Sequence, residues 1–376
     1  MQAIVNGKIL LPDGEVTGQA LLFDRKIVGL CDAPPRDCAA IDAGGLYVSP
    51  GWVDVHIHGY LGADASDGET DGLACMAEGL LKNGVTSFLP TTMTVPWPEL
   101  ERAFGCIRDF MAESARPDFP GAQALGCHAE GPFINPLRKG AQAESAILPP
   151  EAARMLPWAD VIRLVTLAPE MPGALDCVRA LREAGIRVSV GHTDAGYDET
   201  RAALDAGADH FTHTFNAMRG LSHREPGTVG AALTSDAYCE LIADTFHVSR
   251  ALYPLLRRCK GDHLVLITDC TRAGGLADGE YTLGGQPIHV RGIECRLADG
   301  TIAGSVLKMN DAVRNYRDGA GVPLYEAAAR ASLSPARSLG LDARKGSLLP
   351  GRDADILLLN ADCAVQAAWI GGERKL

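Results

Sequence analysis

Eight apolar, partly β-branched runs recur along this chain, at 51–58, 85–92, 123–130, 161–168, 186–192, 209–214, 239–244 and 263–269. Helix-compatible stretches rich in Ala, Leu, Glu and Arg separate them, as in DETRAALDAGA at 198–208. A strand that feeds a helix before the next strand must cross over, so repeated units of this kind build a parallel sheet. Five of the runs close on a residue type that can ligate a metal: His56 and His58 on the first, Glu130 on the third, His192 on the fifth, His213 on the sixth and Asp269 on the eighth.

Polar groups gathered at strand C-termini mark the catalytic face of a barrel. The expected fold is therefore α/β, a (β/α)8 TIM-like barrel. A bare barrel of that kind needs roughly 250 residues, and this chain has 376, of which 47% are hydrophobic. The surplus lies at both ends, where short strand-like runs alternate with Gly and Asp turns. Neither end alone has enough strands for a stable sheet. The two are expected to pair into one small β-sandwich domain, with 1–48 and 346–376 flanking a barrel at 49–345. A strand-like stretch at 280–300 reads as a hairpin insertion between the eighth strand and its helix.

His56 and His58 stand two apart in PGWVDVHIHG. In an extended strand, residues i and i+2 share a face, so both imidazoles can reach one metal from one side of a sheet. Such a pair alone is weak evidence, and the other ligand-type residues give it weight. His128, two before Glu130, shares that strand face and fits either support of the ligands or simple packing. His210 and His263 lie early in their runs, toward the noncatalytic end, and read as structural or exposed. His289 and His223 read as surface residues.

The chain carries eleven scattered cysteines and no C-x-x-C pair, which fits free thiols in a reducing cytoplasm. Cys270, beside Asp269, reads as a small packed residue. The N-terminus shows no basic region followed by an apolar one, so no signal peptide is expected, and no apolar stretch reaches membrane-spanning length. A net charge of −12 argues against a nucleic-acid surface.

The runs SPGWVDVHIHG, HAEGPF, TLAPE, VGHTDA, THTFNAM, REPGTVGAAL, IADTFHV, ITDC and GSVLKMNDAVRN together resemble the N-acetylglucosamine-6-phosphate deacetylases of the amidohydrolase superfamily. The resemblance covers nearly the whole chain in the same order. HAEGPF, and HxxNAM with REPG, are its most specific parts; the terminal GxLxPGxxADILLLN pattern is shared more widely. It implies metal-dependent removal of an acetyl group from an amino sugar phosphate, in amino-sugar catabolism. The residues matching Glu130, His192 and His213 would hold the principal divalent metal, with His56, His58, Glu130 and Asp269 forming a second site. One or two ions are implied, zinc first, with iron, manganese and cobalt as alternatives. Many binuclear amidohydrolases bridge their ions with a carbamylated lysine on strand four; VIRLVTLAPE has no lysine, and Glu130 can serve as the bridge.

Amide hydrolysis needs these residue types. Water is a poor nucleophile at neutral pH, and a bound divalent cation lowers its pKa to about 7 while polarising the carbonyl. The leaving amine must still be protonated, and Asp269 is the expected shuttle, first general base and then general acid. Arg224 can offer a bidentate fork to a phosphate, and the backbone amides near Asn216 and Ala217 add donors. By resemblance, the substrate also contacts Ala141, the 244–247 segment with Asp244 and His247, and Ile302, Ala303 and Gly304. The family implies a homodimer in which Arg224 reaches the neighbouring subunit's site.

One departure stands out. The family commonly has a histidine shortly after the Lys-Gly pair that follows HxEGP, and this chain reads RKGAQAE, with Gln142 there. Glutamine can donate an N–H to an oxyanion but cannot carry a proton charge. Two other readings stay open: a deacetylase of another N-acyl amine, such as N-acetylgalactosamine 6-phosphate, and a noncatalytic interaction protein on the same barrel.

Overall fold

The computed structural model describes residues 1–376. Eight parallel strands pair in chain order: Trp52–Ile57 (β1), Val85–Thr92 (β2), Cys127–Glu130 (β3), Ile162–Leu167 (β4), Arg187–Val190 (β5), His210–Phe211 (β6), Tyr238–Ile242 (β7) and Leu264–Ile267 (β8). Backbone bonds just past β8 close the ring. Asp269 N donates to His56 O at 2.9 Å, and His58 N to Cys270 O at 2.9 Å. Inside the closure, Thr268 Oγ1 donates to Asp54 Oδ2 at 2.6 Å.

The strands are apolar because helices cover one face and packed side chains the other. All eight residues of β2 are buried, including Pro90, which sits at an irregularity in the pairing with β1 where the ladder is interrupted. The helix Ala174–Glu183 shows the complementary pattern. Its buried residues Ala174, Cys177, Val178 and Leu181 recur at helical spacing, giving one apolar stripe toward the sheet. The run expected at 123–130 is interrupted: Gln123–Ala124 pairs separately with β2, and Gly126, with φ of 151°, turns the chain before β3.

Both chain ends meet in two further sheets. Gln2–Val5, Ala20–Phe23, Ile27–Cys31 and Ala39–Asp42 form one, and Tyr47–Pro50, Lys8–Leu11, Gly14–Val16, Ile356–Leu359, Val365–Ile370 and Glu373–Arg374 the other. The two termini join where Leu357 lies opposite Ser49 and Ile356 opposite Pro50. Ile4, Ile9, Phe23, Val48, Leu358 and Trp369 fill the space between the sheets as a core distinct from the barrel's. No helix is long and apolar enough to cross a membrane.

The stretch expected as a hairpin at 280–300 is a three-stranded antiparallel sheet, Gly279–Leu283, Gln286–Arg291 and Glu294–Leu297. The third strand was hidden because its mix of charge and Cys295 buries only that one residue. This sheet leans over the open end of the barrel. Gln286 Nε2 donates to Ala141 O at 2.6 Å, and Leu283 is buried against the site.

Candidate metal centre and active site

His56, His58, Glu130, His192, His213 and Asp269 converge at the C-terminal ends of the strands, and all six are buried. Three of them sit just past their strands in left-handed backbone conformations, with φ of 48° at His192, 30° at His213 and 50° at Asp269. Leu61, Phe215, Ala217 and Thr245 share that conformation, so seven of the nine such non-glycine residues lie at this end of the barrel. Backbone of this kind is costly and persists where the surrounding fold over-determines it, as it does at functional sites. Here it turns each side chain from the strand inward over the barrel axis.

Three rings hand their Nδ1 hydrogens outward. Nδ1 of His56 pairs with Glu240 Oε2 at 2.9 Å, that of His58 with Thr91 O at 3.1 Å and that of His192 with Arg138 O at 2.8 Å. Each pairing fixes the tautomer that leaves an Nε2 lone pair facing the centre. His192 and His213 place their Nε2 atoms 3.1 Å apart, and 3.1 and 3.0 Å from Glu130 Oε1. Nε2 of His58 lies 3.3 Å from Glu130 Oε2 and 3.2 Å from Asp269 Oδ1. Nitrogens bound at 2.0–2.1 Å to a tetrahedral ion stand about 3.3 Å apart, so these spacings suit a divalent cation. Oε1 of Glu130 faces His56, His192 and His213 while Oε2 faces His58, so one carboxylate touches all four imidazoles.

The electrostatics agree. Burial opposes charge on the His58 ring, yet hydrogen bonds to Asp269 and Glu130 overturn it and push the ring up to about 10. His56 is driven well above its ordinary value against the same burial, by Glu240, Glu130 and Asp269. Burial would raise the Glu130 and Asp269 carboxyls, but the surrounding imidazoles hold both below the usual range. The cluster thus demands positive charge at its centre. Asp54, buried on β1, is pushed up to about 7 by burial despite its bond from Thr268.

A cavity of about 340 Å³ opens onto this cluster, lined by His58, Glu130, His192, His213 and Asp269 and by Ala141, Gln142, Asn216, Ala217, His247, Ile302 and Gly304. His247 is held by Asp244, whose Oδ2 pairs with its Nδ1 at 2.6 Å while Oδ1 accepts the His247 N–H at 2.8 Å. Asp244 and Ala303 stand behind the wall rather than in it. Arg224 is apart: it is exposed and lines a separate surface hollow with Arg219, Glu225 and Tyr197. Gln142 is buried with its amide committed, Oε1 accepting Thr94 N–H at 2.6 Å and Nε2 donating to Glu130 Oε2.

Among the remaining histidines, His128 packs edge-on against His56 at 4.6 Å, with Nδ1 paired to Val55 O at 3.1 Å and Nε2 to Thr166 Oγ1 at 2.8 Å. It supports the ring beside it. His210 is buried against Asp209 at 2.6 Å, His263 packs on Tyr238, and His223 and His289 are exposed. Cys270 is buried and its thiol pushed well up by burial, which suits packing.

Sequence reasoning passed over two residues here. Arg138 lines the cavity, its guanidinium held by Asp194 at 2.8 Å, and is the one Lys or Arg side chain in that lining. Glu240 lies on β7 with no exposure. A signal for it was present, since a carboxylate in the middle of the apolar run YCELIAD needs a reason.

A parallel barrel with a buried histidine and carboxylate cluster at its strand C-termini defines a class, that of metal-dependent hydrolases. The amidohydrolase family model matches residues 47–375, and the chain belongs to that family. It is 43% identical to an N-acetylgalactosamine-6-phosphate deacetylase of Escherichia coli, covering 97% of each chain. It is 41% identical to an N-acetylglucosamine-6-phosphate deacetylase of Bacillus subtilis, over 97% of this chain and 91% of that one. A mutant of the N-acetyl-D-glucosamine-6-phosphate deacetylase of Mycobacterium smegmatis, solved in complex with N-acetyl-D-glucosamine-6-phosphate, superposes with a TM-score of 0.93 at 32% identity, over 100% of this chain and 99% of that one.

Proposed function

We propose that this chain hydrolyses the N-acetyl group of N-acetylglucosamine 6-phosphate, giving glucosamine 6-phosphate and acetate. The observation that carries this reading is the convergence of His192, His213, Glu130 and Asp269 in one cavity of a chain whose relatives deacetylate amino sugar phosphates. A divalent cation, zinc foremost, would be held by His192, His213 and Glu130, with a second at His56, His58, Glu130 and Asp269; when bound it supplies an acidified water and a polarised acyl carbonyl.

The protein's own groups do the rest. Asp269 Oδ1 takes the proton from the attacking water as the new C–O bond forms, then delivers it to the amine nitrogen as the C–N bond breaks. Gln142 steadies Glu130 through its amide and keeps its second N–H for the acyl oxygen. His247, with Nδ1 tied to Asp244, offers Nε2 to the sugar; Asn216, Ala217, Ala141, Ile302 and Gly304 shape the pocket around it, with Ala303 behind them. Arg138 and a neighbouring subunit's Arg224 receive the phosphate. The placement of Arg224 on a surface hollow away from its own cavity supports a homodimer in which it serves the partner. The free cysteines suit a cytoplasmic enzyme. The sandwich formed by 1–48 and 346–376 and the barrel at 49–345 are proposed as its two domains.

A second reading, deacetylation of N-acetylgalactosamine 6-phosphate, is favoured by the relative of that name at 43% identity. Acetate release measured on both epimers, each with and without phosphate, decides between them. Turnover confined to the galacto epimer would move the assignment to it. A noncatalytic role is disfavoured because the chain keeps Asp269 and every residue proposed as a ligand.

A further inference from the structure

Glu240 is buried without exposure on β7, yet no lysine or arginine touches it. Oε2 accepts from His56 Nδ1 at 2.9 Å and from the backbone N–H of His213 at 3.0 Å, while Oε1 has no partner. A buried carboxylate left half-satisfied is expensive, and replacing it by an apolar residue would ordinarily stabilise the fold. What the charge does achieve is visible in its two contacts. One belongs to the strand-one histidine pair and the other to the backbone that carries His213, so a single side chain grips both halves of the ligand cluster. His56 Nε2 then faces His58 Nε2 at 3.4 Å, with Glu130 Oε1 at 3.4 Å and Asp269 Oδ1 at 3.5 Å.

We propose that Glu240 is the positioning residue of the second metal site: its charge holds His56 with the proton on Nδ1, makes Nε2 a stronger donor, and balances the cation bound there. Carboxylate partners of this kind orient ligating imidazoles, and losing one weakens metal binding by about 10- to 100-fold. The inference rests on reading His56 and His58 as metal ligands. Glu240→Gln isolates the charge, because its amide oxygen can still accept from His213 N–H and His56 Nδ1. Glu240→Leu removes both.

The test is metal stoichiometry and zinc dissociation constants for the wild type, Glu240→Gln, Glu240→Leu and His56→Asn, by elemental analysis and competition with a chelator. Glu240→Gln should keep one tightly bound zinc per chain and bind the second at least about tenfold more weakly, as should His56→Asn. Equal second-site affinity in Glu240→Gln and wild type would overturn the role of Glu240. A wild type binding no zinc would overturn the metal reading itself. Should the variants fail to fold, nitrogen-15 spectra of the zinc-loaded wild type decide: His56 should be protonated on Nδ1, and protonation on Nε2 contradicts the proposal.

Discussion

His56 and His58 direct their Nε2 atoms at each other across 3.4 Å while their Nδ1 atoms are paired elsewhere, with Glu240 and with the Thr91 carbonyl. Two lone pairs in that arrangement repel, and a cation between them turns repulsion into coordination. On the proposed reading the strand-one pair holds an ion distinct from the one that His192 and His213 face. His192→Asn or His213→Asn should abolish stoichiometric metal binding, while His56→Asn should mainly empty the second site. Elemental analysis of the purified variants checks this, and unchanged metal content in His192→Asn would remove the principal site from these residues.

Asp269→Asn keeps the size of the side chain and loses the basic oxygen. The variant should fall in kcat by at least about 100-fold, the lower end of general acid and base contributions. Substrate should still bind, as isothermal titration would show. Near-normal turnover would leave the proton transfers without a residue.

Phosphate recognition can be separated from chemistry. Arg224→Ala should lower kcat/KM strongly on the phosphorylated sugar and little on its unphosphorylated analogue, because only the former offers a charge-assisted partner. Arg138→Gln should show the same selectivity from within the cavity. Equal losses on both substrates would mark either arginine as structural.

Gln142 stands where the sequence resemblance implies a histidine, and its contacts say what depends on it. Its amide bridges Thr94 N–H and Glu130 Oε2, so Gln142→Ala should loosen Glu130 and reduce kcat, whereas Gln142→His, the residue that the resemblance implies, should be tolerated. Steady-state kinetics on N-acetylglucosamine 6-phosphate checks both. An unaffected Gln142→Ala would show that Glu130 is held well enough by the imidazoles alone.

The noncatalytic end has its own electrostatic clamp. Burial would raise the Asp209 carboxyl, but His210 at 2.6 Å and the guanidiniums of Arg182 at 3.1 Å and Arg187 at 2.6 Å hold it at about 2, below its ordinary 3.8. A depressed carboxylate stabilises the fold above its unfolded pKa and loses that contribution as pH falls through its folded one. Asp209→Asn should therefore cost about 2 kcal/mol at neutral pH. In urea titrations the gap to wild type should hold above pH 5 and shrink from about pH 4 toward 2. A gap that does not change over that range would assign the loss to packing.

Much of this was legible because the barrel writes itself into sequence twice, as apolar runs of strand length and as polar residues that end them. That pattern located Glu130, His192, His213 and Asp269 without any contact being known. Backbone strain was not legible: nothing in VGHTDA or THTFNAM announces that His192 and His213 adopt left-handed φ, a conformation that non-glycine residues seldom take on local preference alone. Glu240 was missed because the seventh run was read through Asp244 and His247 at its end, although the Glu240 carboxylate interrupts apolar residues. The third strand of the insertion escaped for the opposite reason, since a solvent-facing strand needs few apolar residues. That Arg224 lies on a surface hollow outside the cavity was not legible either, because a loop charge carries no periodicity.

The most direct test of a metal-dependent deacetylase is to strip the protein with a chelator, return zinc in measured steps, and follow acetate release from N-acetylglucosamine 6-phosphate. Release should be near zero in the stripped protein, rise in proportion to bound zinc, and yield one acetate for each glucosamine 6-phosphate. Full activity in stripped protein, or no acetate from either phosphorylated epimer at full metal loading, would contradict it.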